Sequence, residues 1–285
     1  MVYLHYRTVA EIDDELTRGQ GGEPRDRCYD LFTEGAYRAR ENFRNRLDLR
    51  YGKGDRQRID LFYTHRQPQN APTVVFFHGG GWRLSDKFFA NFYAEAYCAE
   101  GINVALCGYG LSPLFNVGQI LEHAQAATGW IHANASELNI HPQKLVISGN
   151  SAGAHLACGV LTADAHRSLG LRGGILFSGL YDLLPLHYST VYASLGLNEA
   201  DARAWSPLFH ISAGQPPLLL LYGGDETEEF KRQSVDLERA WVDAGNLAES
   251  IEIEGTDHFS SQWNARTPGN PAYDRIIGFV KEVAE

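Results

Sequence analysis

A serine between two glycines is the first feature of this sequence that could do chemistry. Ser151 is the centre of Gly149–Gly153, which directly follows the apolar run Leu145–Ile147 and opens a stretch compatible with a helix. A Gly-x-Ser-x-Gly segment between a strand and a helix forms a sharp turn that holds the serine hydroxyl at the end of a sheet. The two glycines leave the space that such a turn needs. We therefore predict that Ser151 is a nucleophile.

A serine hydroxyl is too weak an acid to attack a carbonyl at neutral pH, so it needs a base and an acid that orients this base. His258 follows the last strand pattern, where the base is expected when serine, acid and histidine occur in this order. The acid should follow the strand pattern Pro217–Tyr222, where Asp225 and Glu226 are adjacent. Position alone favours Asp225, whose shorter side chain suits a tight turn, and leaves Glu226 as the alternative.

A glycine-rich segment, His78–Gly81, follows the continuously apolar stretch Thr73–Phe77. Acyl transfer places negative charge on the former carbonyl oxygen, and backbone N–H groups shielded from water stabilise this charge strongly. Backbone without side chains can approach the substrate most closely. We predict that the oxyanion hole consists of the N–H groups of Gly80, Gly81 and Ala152, the last of which follows the serine.

The elements that must position these residues alternate between strand and helix patterns. Strands are predicted at Thr73–Phe77, Asn103–Cys107, Leu145–Ile147, Gly174–Phe177, Pro217–Tyr222 and Glu249–Ile253, after a hairpin over Leu47–Tyr63. Amphipathic helical segments separate the later strands. This alternation predicts an α/β fold with a mostly parallel central sheet, helices on both faces and reactive loops beyond the carboxyl ends of the strands.

The length of 285 residues suits one large α/β domain, and we predict a single domain over residues 1–285. Residues 1–46 form an N-terminal extension with two helical segments separated by a glycine-rich stretch. This extension either docks on the domain or forms part of a small cap over the pocket. Residues 178–211 form a polar and aromatic segment, which we interpret as an insertion that could act as a lid.

Composition indicates which classes of binding partner and which cellular compartment to expect. The formal net charge of −10 and the absence of a basic tract argue against nucleic-acid binding. Four scattered cysteines favour a reducing compartment, and neither a signal peptide nor a membrane-length apolar run is apparent. We therefore expect a cytoplasmic protein without a membrane partner. The sequence lacks the His-Glu-x-x-His spacing that would indicate a metal site, and we expect no cofactor. The sequence is compatible with a homodimer.

The motifs carry a resemblance to a known family. His78–Trp82 together with Gly149–Gly153 resembles the hormone-sensitive-lipase branch of the α/β-hydrolase superfamily. Longer stretches resemble more narrowly the arylformamidase (kynurenine formamidase) group and its bacterial esterase relatives. These stretches are Gly81–Arg83 with Asp86 and Lys87, Ser151–Leu156, Ser178–Leu183, Glu229 and Phe230 with Arg232–Ser234, and Asp257–Phe259. The similarity runs from about Leu47 to the C-terminus and implies an α/β-hydrolase fold.

The resemblance also bears on the acid and on the pocket. In the formamidase group the acid lies three positions before the Glu-Phe pair, which here corresponds to Glu226, with Asp225 as the fallback. In the formamidase group the corresponding glycine segment is similar to His-Gly-Gly-Tyr-Trp, whereas this chain has Gly81 in place of the tyrosine. This difference implies a wider or reshaped pocket floor and puts a formamide substrate in question.

Together, the motifs and the resemblance predict a serine hydrolase that cleaves small carboxylic esters or aryl amides and formamides through an acyl-enzyme. The alternative is a non-catalytic relative that binds a small ligand in the same cleft. Aromatic residues that follow or flank the reactive loops are candidates to line the substrate pocket. The alternative interpretation of each is that it packs in the core. These candidates are Trp82, Tyr181, Tyr188 and Phe259.

Overall fold

The structure, a computed structural model, describes residues 3–19 and 22–285. Its strands are β1 (Asn45–Arg50), β2 (Arg58–Phe62), β3 (Thr73–Phe77), β4 (Asn103–Cys107), β5 (Leu145–Asn150), β6 (Leu171–Phe177), β7 (Leu218–Gly223) and β8 (Ala248–Ile253). They form one sheet in the order β1-β2-β4-β3-β5-β6-β7-β8. β1 and β2 run antiparallel to their neighbours, and the strands from β3 to β8 are parallel. The predicted hairpin and the mostly parallel sheet are confirmed.

Helices cover both faces of this sheet. They are α1 (Val9–Thr17), α2 (Glu23–Asn42), α3 (Tyr93–Ala99), α4 (Val117–Ala133), α5 (Ala135–Leu138), α6 (Ala152–Thr162), α7 (Leu184–Tyr188), α8 (Glu199–Ala204), α9 (Glu228–Asp243), α10 (Ser260–Asn264) and α11 (Pro271–Ala284). No helix in the described ranges is long and apolar enough to span a membrane.

The central strands are continuously apolar because both of their faces are buried. In β3, Val75 and Phe77 pack on one side with residues of α4, α6 and α9. Val74 and Phe76 pack on the other side with residues of α2, α3 and α11. Side chains alternate between the two faces of a strand, so one apolar run supplies both cores. The predicted α/β-hydrolase fold class, with helices on both faces, is confirmed.

The N-terminal extension begins with a well-capped helix. The Thr8 side chain accepts a hydrogen bond from the Glu11 N–H, while the Glu11 carboxylate accepts one from the Thr8 N–H, and this reciprocal pair starts α1. The glycine-rich stretch predicted to separate the two helices includes Gln20 and Gly21, which lie outside the described residues, as do Met1 and Val2. α2 then packs against α3 beside the sheet.

A fully buried carboxylate fastens the extension to the sheet edge. Asp60 of β2 accepts hydrogen bonds from Arg40 of α2 at 2.8 Å, from Asn91 at 3.2 Å and from the Asp48 N–H at 2.9 Å. Its other ion pair is with Lys87 at 2.8 Å, in a short 3₁₀ turn. A buried charge must be paired, so this network fixes α2 relative to the turn at Lys87.

We predict that Asp60→Ala lowers the free energy of unfolding by about 3 kcal/mol or more, because Arg40 and the buried Lys87 lose a shared counter-ion. Urea denaturation measures this loss. The matched control is Asp55→Ala, since the Asp55 side chain is 96% exposed and should cause no measurable change. Equal stability of Asp60→Ala and the wild type would contradict this role.

Candidate active site

Ser151 lies in a strained turn between β5 and α6. Its backbone has φ 54° and ψ −123°, a conformation that non-glycine residues adopt only when their surroundings enforce it. A Cβ atom on Gly149 would clash with the Gly153 carbonyl, and one on Gly153 would clash with the Phe77 carbonyl. Both glycines of the motif are therefore required by backbone contacts.

A buried carboxylate lies beside the candidate base. Glu226 follows β7, His258 follows β8, and Glu226 Oε2 is 3.0 Å from His258 Nδ1. The two side chains are only 1% and 6% exposed, respectively. Because a carboxylate only accepts hydrogen bonds, Nδ1 donates the proton in this contact. The other ring nitrogen, Nε2, is thereby left as an acceptor.

The neighbouring carboxylates point elsewhere. Asp225 is exposed, and its backbone N–H donates to the Thr256 carbonyl, which corrects the positional preference for Asp225 as the group nearest the base. Glu226, in contrast, is buried and contacts His258. Asp257 accepts hydrogen bonds from Ser260 and from the Phe259 N–H. Burial raises its pKa, but these hydrogen bonds outweigh burial and lower the pKa of Asp257 overall.

One residue next to the candidate acid Glu226 was missed by sequence reasoning. Ser178 follows β6, and its hydroxyl donates to Glu226 Oε1, which also accepts the Gly223 N–H at 2.7 Å. Ser178 is buried and has a positive φ of 46°, so its backbone is held in an uncommon conformation. Its position directly after a strand next to β7 was the available signal, since the ends of neighbouring parallel strands meet at one edge.

The glycine segment after β3 forms an open loop beside Ser151. Gly80 and Gly81 have φ values of 115° and 59°, and a Cβ on Gly80 would clash with the Leu84 carbonyl. The Gly79 N–H donates to Asn150 Oδ1 at 2.9 Å, which ties the loop to the serine turn. Within residues 3–19 and 22–285, the N–H groups of Gly80, Gly81 and Ala152 form no hydrogen bond, so they are available as donors.

His78 supports this loop as a neutral side chain. Its Nδ1 donates to the Gly79 carbonyl at 2.7 Å, and its ring stacks on Tyr109 at 4.3 Å between centroids. The Tyr109 hydroxyl in turn donates to the His78 carbonyl. Complete burial lowers the pKa of His78 to about 4, although the bond to Gly79 acts in the opposite direction. His78 therefore positions the loop.

Ser151 and His258 line the same cavity, which has a volume of about 650 Å³. Gly80 and Gly81 form part of its wall, whereas Ala152 lies buried at the start of α6. In the described structure no hydrogen bond joins the Ser151 hydroxyl to the His258 imidazole. Such bonds often tighten only in the complex with substrate.

Only one of the four predicted pocket residues lines this cavity. Phe259 does so, whereas Trp82, Tyr181 and Tyr188 do not, which corrects the prediction for these three. Trp82 and Tyr181 are 0% exposed members of the core. Tyr188 stacks on Tyr3 at 5.9 Å between centroids. Residues that closely follow a reactive loop in sequence can point back into the core, and here they do.

The cavity takes its other aromatic walls from elements that the motifs did not identify. Tyr29 and Phe32 come from α2, while Phe89 and Phe92 come from the segment before α3. Leu16 of α1 lies at the same cavity. The sequence predicts a helical segment here, but only packing shows which of its side chains meet a cavity rather than a neighbouring helix.

The predicted extension and insertion are bound to each other above the cavity. Asp13 of α1 accepts hydrogen bonds from the hydroxyl groups of Ser189 and Thr190, which lie in the segment 178–211. The same segment contributes Val191 and Tyr192 to the cavity wall. Described residues of the extension and of the insertion therefore line the same cavity and contact each other.

Comparisons with known proteins agree with this geometry. Residues 74–261 match the family model described as the alpha/beta hydrolase fold, and the chain belongs to this family. It is 28% identical to the kynurenine formamidase of Salmo salar over 80% of this chain and 79% of that protein. The resemblance predicted from the motifs is thus confirmed, and the hydrolase relatives support a hydrolase function.

Two solved structures show the same architecture. A protein of Silicibacter sp. TM1040, provisionally assigned as a thioesterase, superposes with a TM-score of 0.82 at 26% identity, covering 95% of this chain and 99% of its own. Esterase 2 of Thermogutta terrifontis, phosphonylated by cyclosarin, has a TM-score of 0.64 at 26% identity, covering 85% and 92%.

A third buried histidine makes stability depend on pH. His155 accepts the Trp82 indole N–H at Nδ1 and donates from Nε2 to the Trp205 carbonyl at 2.7 Å. Burial lowers its pKa from 6.5 to about 4, although the Trp205 bond raises it. The folded state therefore binds fewer protons than the unfolded state between these pH values, and stability present above pH 6.5 is lost as the pH falls toward 4.

We predict that the wild type loses about 3 kcal/mol of unfolding free energy over this pH range through His155 alone, at 1.36 kcal/mol per pKa unit. His155→Gln should make the pH dependence shallower by that amount in urea denaturation at a series of pH values. His65→Gln is the control, because His65 is exposed. An unchanged slope for His155→Gln would refute a neutral buried His155.

Proposed function

We propose that this protein is a serine hydrolase that cleaves small carboxylic esters or aryl amides and formamides through an acyl-enzyme. Ser151 is the nucleophile, His258 is the base and Glu226 is the acid that orients it. The observation that carries the proposal is the buried contact of 3.0 Å between Glu226 and His258, at a cavity that Ser151 also lines.

In this mechanism the Ser151 hydroxyl attacks the substrate carbonyl carbon while His258 Nε2 takes its proton. The negative charge that develops on the carbonyl oxygen is stabilised by the N–H groups of Gly80, Gly81 and Ala152. His258 then gives the proton to the leaving oxygen or nitrogen as the carbonyl–leaving-group bond breaks. A water molecule, activated by the same imidazole, releases the acid from the Ser151 ester.

The surroundings of Glu226 suit a carboxylate that is held in one position. Its Oε1 atom accepts hydrogen bonds from Ser178 and from the Gly223 N–H, so Oε2 is left for His258. Hydrogen bonds to a charged acceptor are stronger than neutral ones. This arrangement holds one imidazole tautomer and stabilises the imidazolium that forms during proton transfer.

The substrate class is inferred from the cavity and from the relatives. A cavity of about 650 Å³ with aromatic walls suits a small molecule with an apolar or aryl part. The similarity to a kynurenine formamidase and to an esterase that cyclosarin phosphonylates fits acyl transfer at a serine. We further propose that residues 1–285 form one domain, in which residues 1–46 and 178–211 provide the cap over this cavity.

We predict that the purified protein hydrolyses p-nitrophenyl butyrate and that Ser151→Ala lowers kcat by about 10⁴-fold or more, because the nucleophile is lost. Initial rates measure this effect, and cyclosarin-type organophosphonates should add one phosphonyl group to the wild type but none to the variant in intact-mass spectra. Ser136→Ala, at an exposed serine of α5, is the control.

Full activity of Ser151→Ala would exclude the mechanism. Absence of turnover in the wild type on both N-formylkynurenine and a panel of short aryl esters would favour the ligand-binding alternative. The ratio of these two activities in an active protein separates a formamidase from an esterase.

We predict that Glu226→Gln lowers kcat by about 10³–10⁴-fold, because the amide no longer holds the imidazole in one tautomer with a negative charge beside it. Asp225→Asn is the matched neutralisation one position away, and it should change kcat less than threefold because Asp225 is exposed. A larger loss in Asp225→Asn than in Glu226→Gln would assign the acid to Asp225.

A further inference from the structure

One cation in the cavity wall has no carboxylate partner. Arg83 lines the cavity, and in the described ranges of the chain it forms no ion pair. The other arginine of the wall, Arg25, is paired with Asp26 at 2.7 Å. His78 and Tyr192, also in the wall, are neutral near pH 7, since burial lowers the pKa of His78 and raises that of Tyr192. Arg83 is thus a fixed, uncompensated positive charge beside the candidate site.

The guanidinium of Arg83 is held from one side. Its Nη1 atom donates to the Val191 carbonyl at 2.8 Å and to Ser194 Oγ at 3.3 Å. The group lies over the Tyr192 ring, with 4.7 Å from the guanidinium carbon to the ring centroid. These contacts fix the position of the charge before any ligand binds, which reduces the entropy lost on binding.

The remaining N–H groups of Arg83 are without acceptors. Nε is buried and makes no hydrogen bond, a costly arrangement for a charged group. Nη2 also makes no hydrogen bond within the described residues, but it is not buried. Both atoms are 3.7 Å from the position that a Cβ on Gly81 would occupy. The unpaired part of the guanidinium therefore lies beside the candidate oxyanion donor Gly81.

We propose that Arg83 binds a carboxylate group of the substrate through Nη2 and thereby makes the enzyme selective for anionic esters or amides. This proposal rests on the proposed function, because the anion lies next to the carbonyl that Ser151 would attack. A guanidinium donor on a carboxylate forms a charge-assisted hydrogen bond, stronger than a bond between neutral groups. The carboxylate belongs either to the acyl part or to the leaving group.

Attachment of the insertion does not by itself account for an arginine here. The contacts with Val191 and Ser194 use only Nη1, and the contact with Tyr192 uses the face of the guanidinium, so none of them engages Nη2. Gly81 matters for the same reason, since a side chain at this position would occupy the space beside the guanidinium. The glycine that departs from the formamidase pattern therefore keeps Nη2 accessible to a ligand.

Two pairs of matched esters test the proposal. The first pair, 3-acetoxybenzoate and 3-acetoxybenzamide, places the charge on the leaving group. The second pair, monophenyl adipate and the phenyl ester of adipamic acid, places it on the acyl part. We expect the wild type to prefer the carboxylate in at least one pair by about tenfold or more in kcat/KM. The pair that shows the preference identifies the side of the scissile bond that Arg83 contacts.

Substitution of Arg83 should remove this preference. In Arg83→Gln the ratio of kcat/KM for the carboxylate ester over its amide partner should fall by about tenfold or more. Arg83→Lys retains the charge and should keep part of the ratio. A purely structural loss would lower both esters of a pair equally and leave the ratio unchanged. Arg239→Gln, on the 70% exposed Arg239 of α9, is the control.

A binding measurement separates this proposal from the proposed function. In the Ser151→Ala background, calorimetry should show 3-hydroxybenzoate or adipamate binding at least tenfold more tightly than its neutral amide, and added Arg83→Gln should abolish that difference. Hydrolysis of neutral esters without any carboxylate preference or Arg83-dependent binding would overturn the anion site and leave the hydrolase intact. Arg83-dependent binding without turnover would overturn the hydrolase and support the anion site.

Discussion

The contact between His258 and Glu226 is the interaction on which the rest of the site depends. It joins the loops after β7 and β8 at a place where both side chains are almost fully buried. A buried carboxylate is tolerated only when its oxygens are satisfied, which is why Ser178 and the Gly223 N–H bind the other oxygen. Parallel strands make this arrangement attainable, because their carboxyl ends meet at one edge of the sheet.

Close backbone approach is the second constraint. The serine turn is so tight that Gly149 and Gly153 cannot carry side chains, and the loop at Gly80 is limited in the same way. Asn150 links the two loops through the Gly79 N–H, so the candidate oxyanion donors and the candidate nucleophile are positioned by one connected set of backbone contacts. Such pre-positioning is what electrostatic stabilisation of a transition state requires.

The walls of the cavity are built differently from its floor. The floor comes from loops at the ends of strands, whereas the walls come from α1, α2 and the segment 178–211, and Asp13 links α1 to that segment. The buried Asp60 network anchors α2 and the turn at Lys87, and these two elements carry the aromatic wall residues Tyr29, Phe32 and Phe89. Much of the cavity lining therefore comes from elements that the reactive motifs do not reveal.

By itself, the sequence determined the approximate positions of the strands, the fold class and the identity of Ser151, His258 and the glycine loop as candidates, because these follow from local periodicity, position along the chain and backbone sterics. Local position favoured Asp225 and the family resemblance favoured Glu226; the structure distinguishes them, because Glu226 is buried against His258 and Asp225 is exposed. Tertiary structure alone decided that Trp82 and Tyr181 face the core, that Ser178 supports Glu226 and that Arg83 has no counter-ion in the described chain. These outcomes depend on contacts between residues distant in the chain, and no local pattern encodes them.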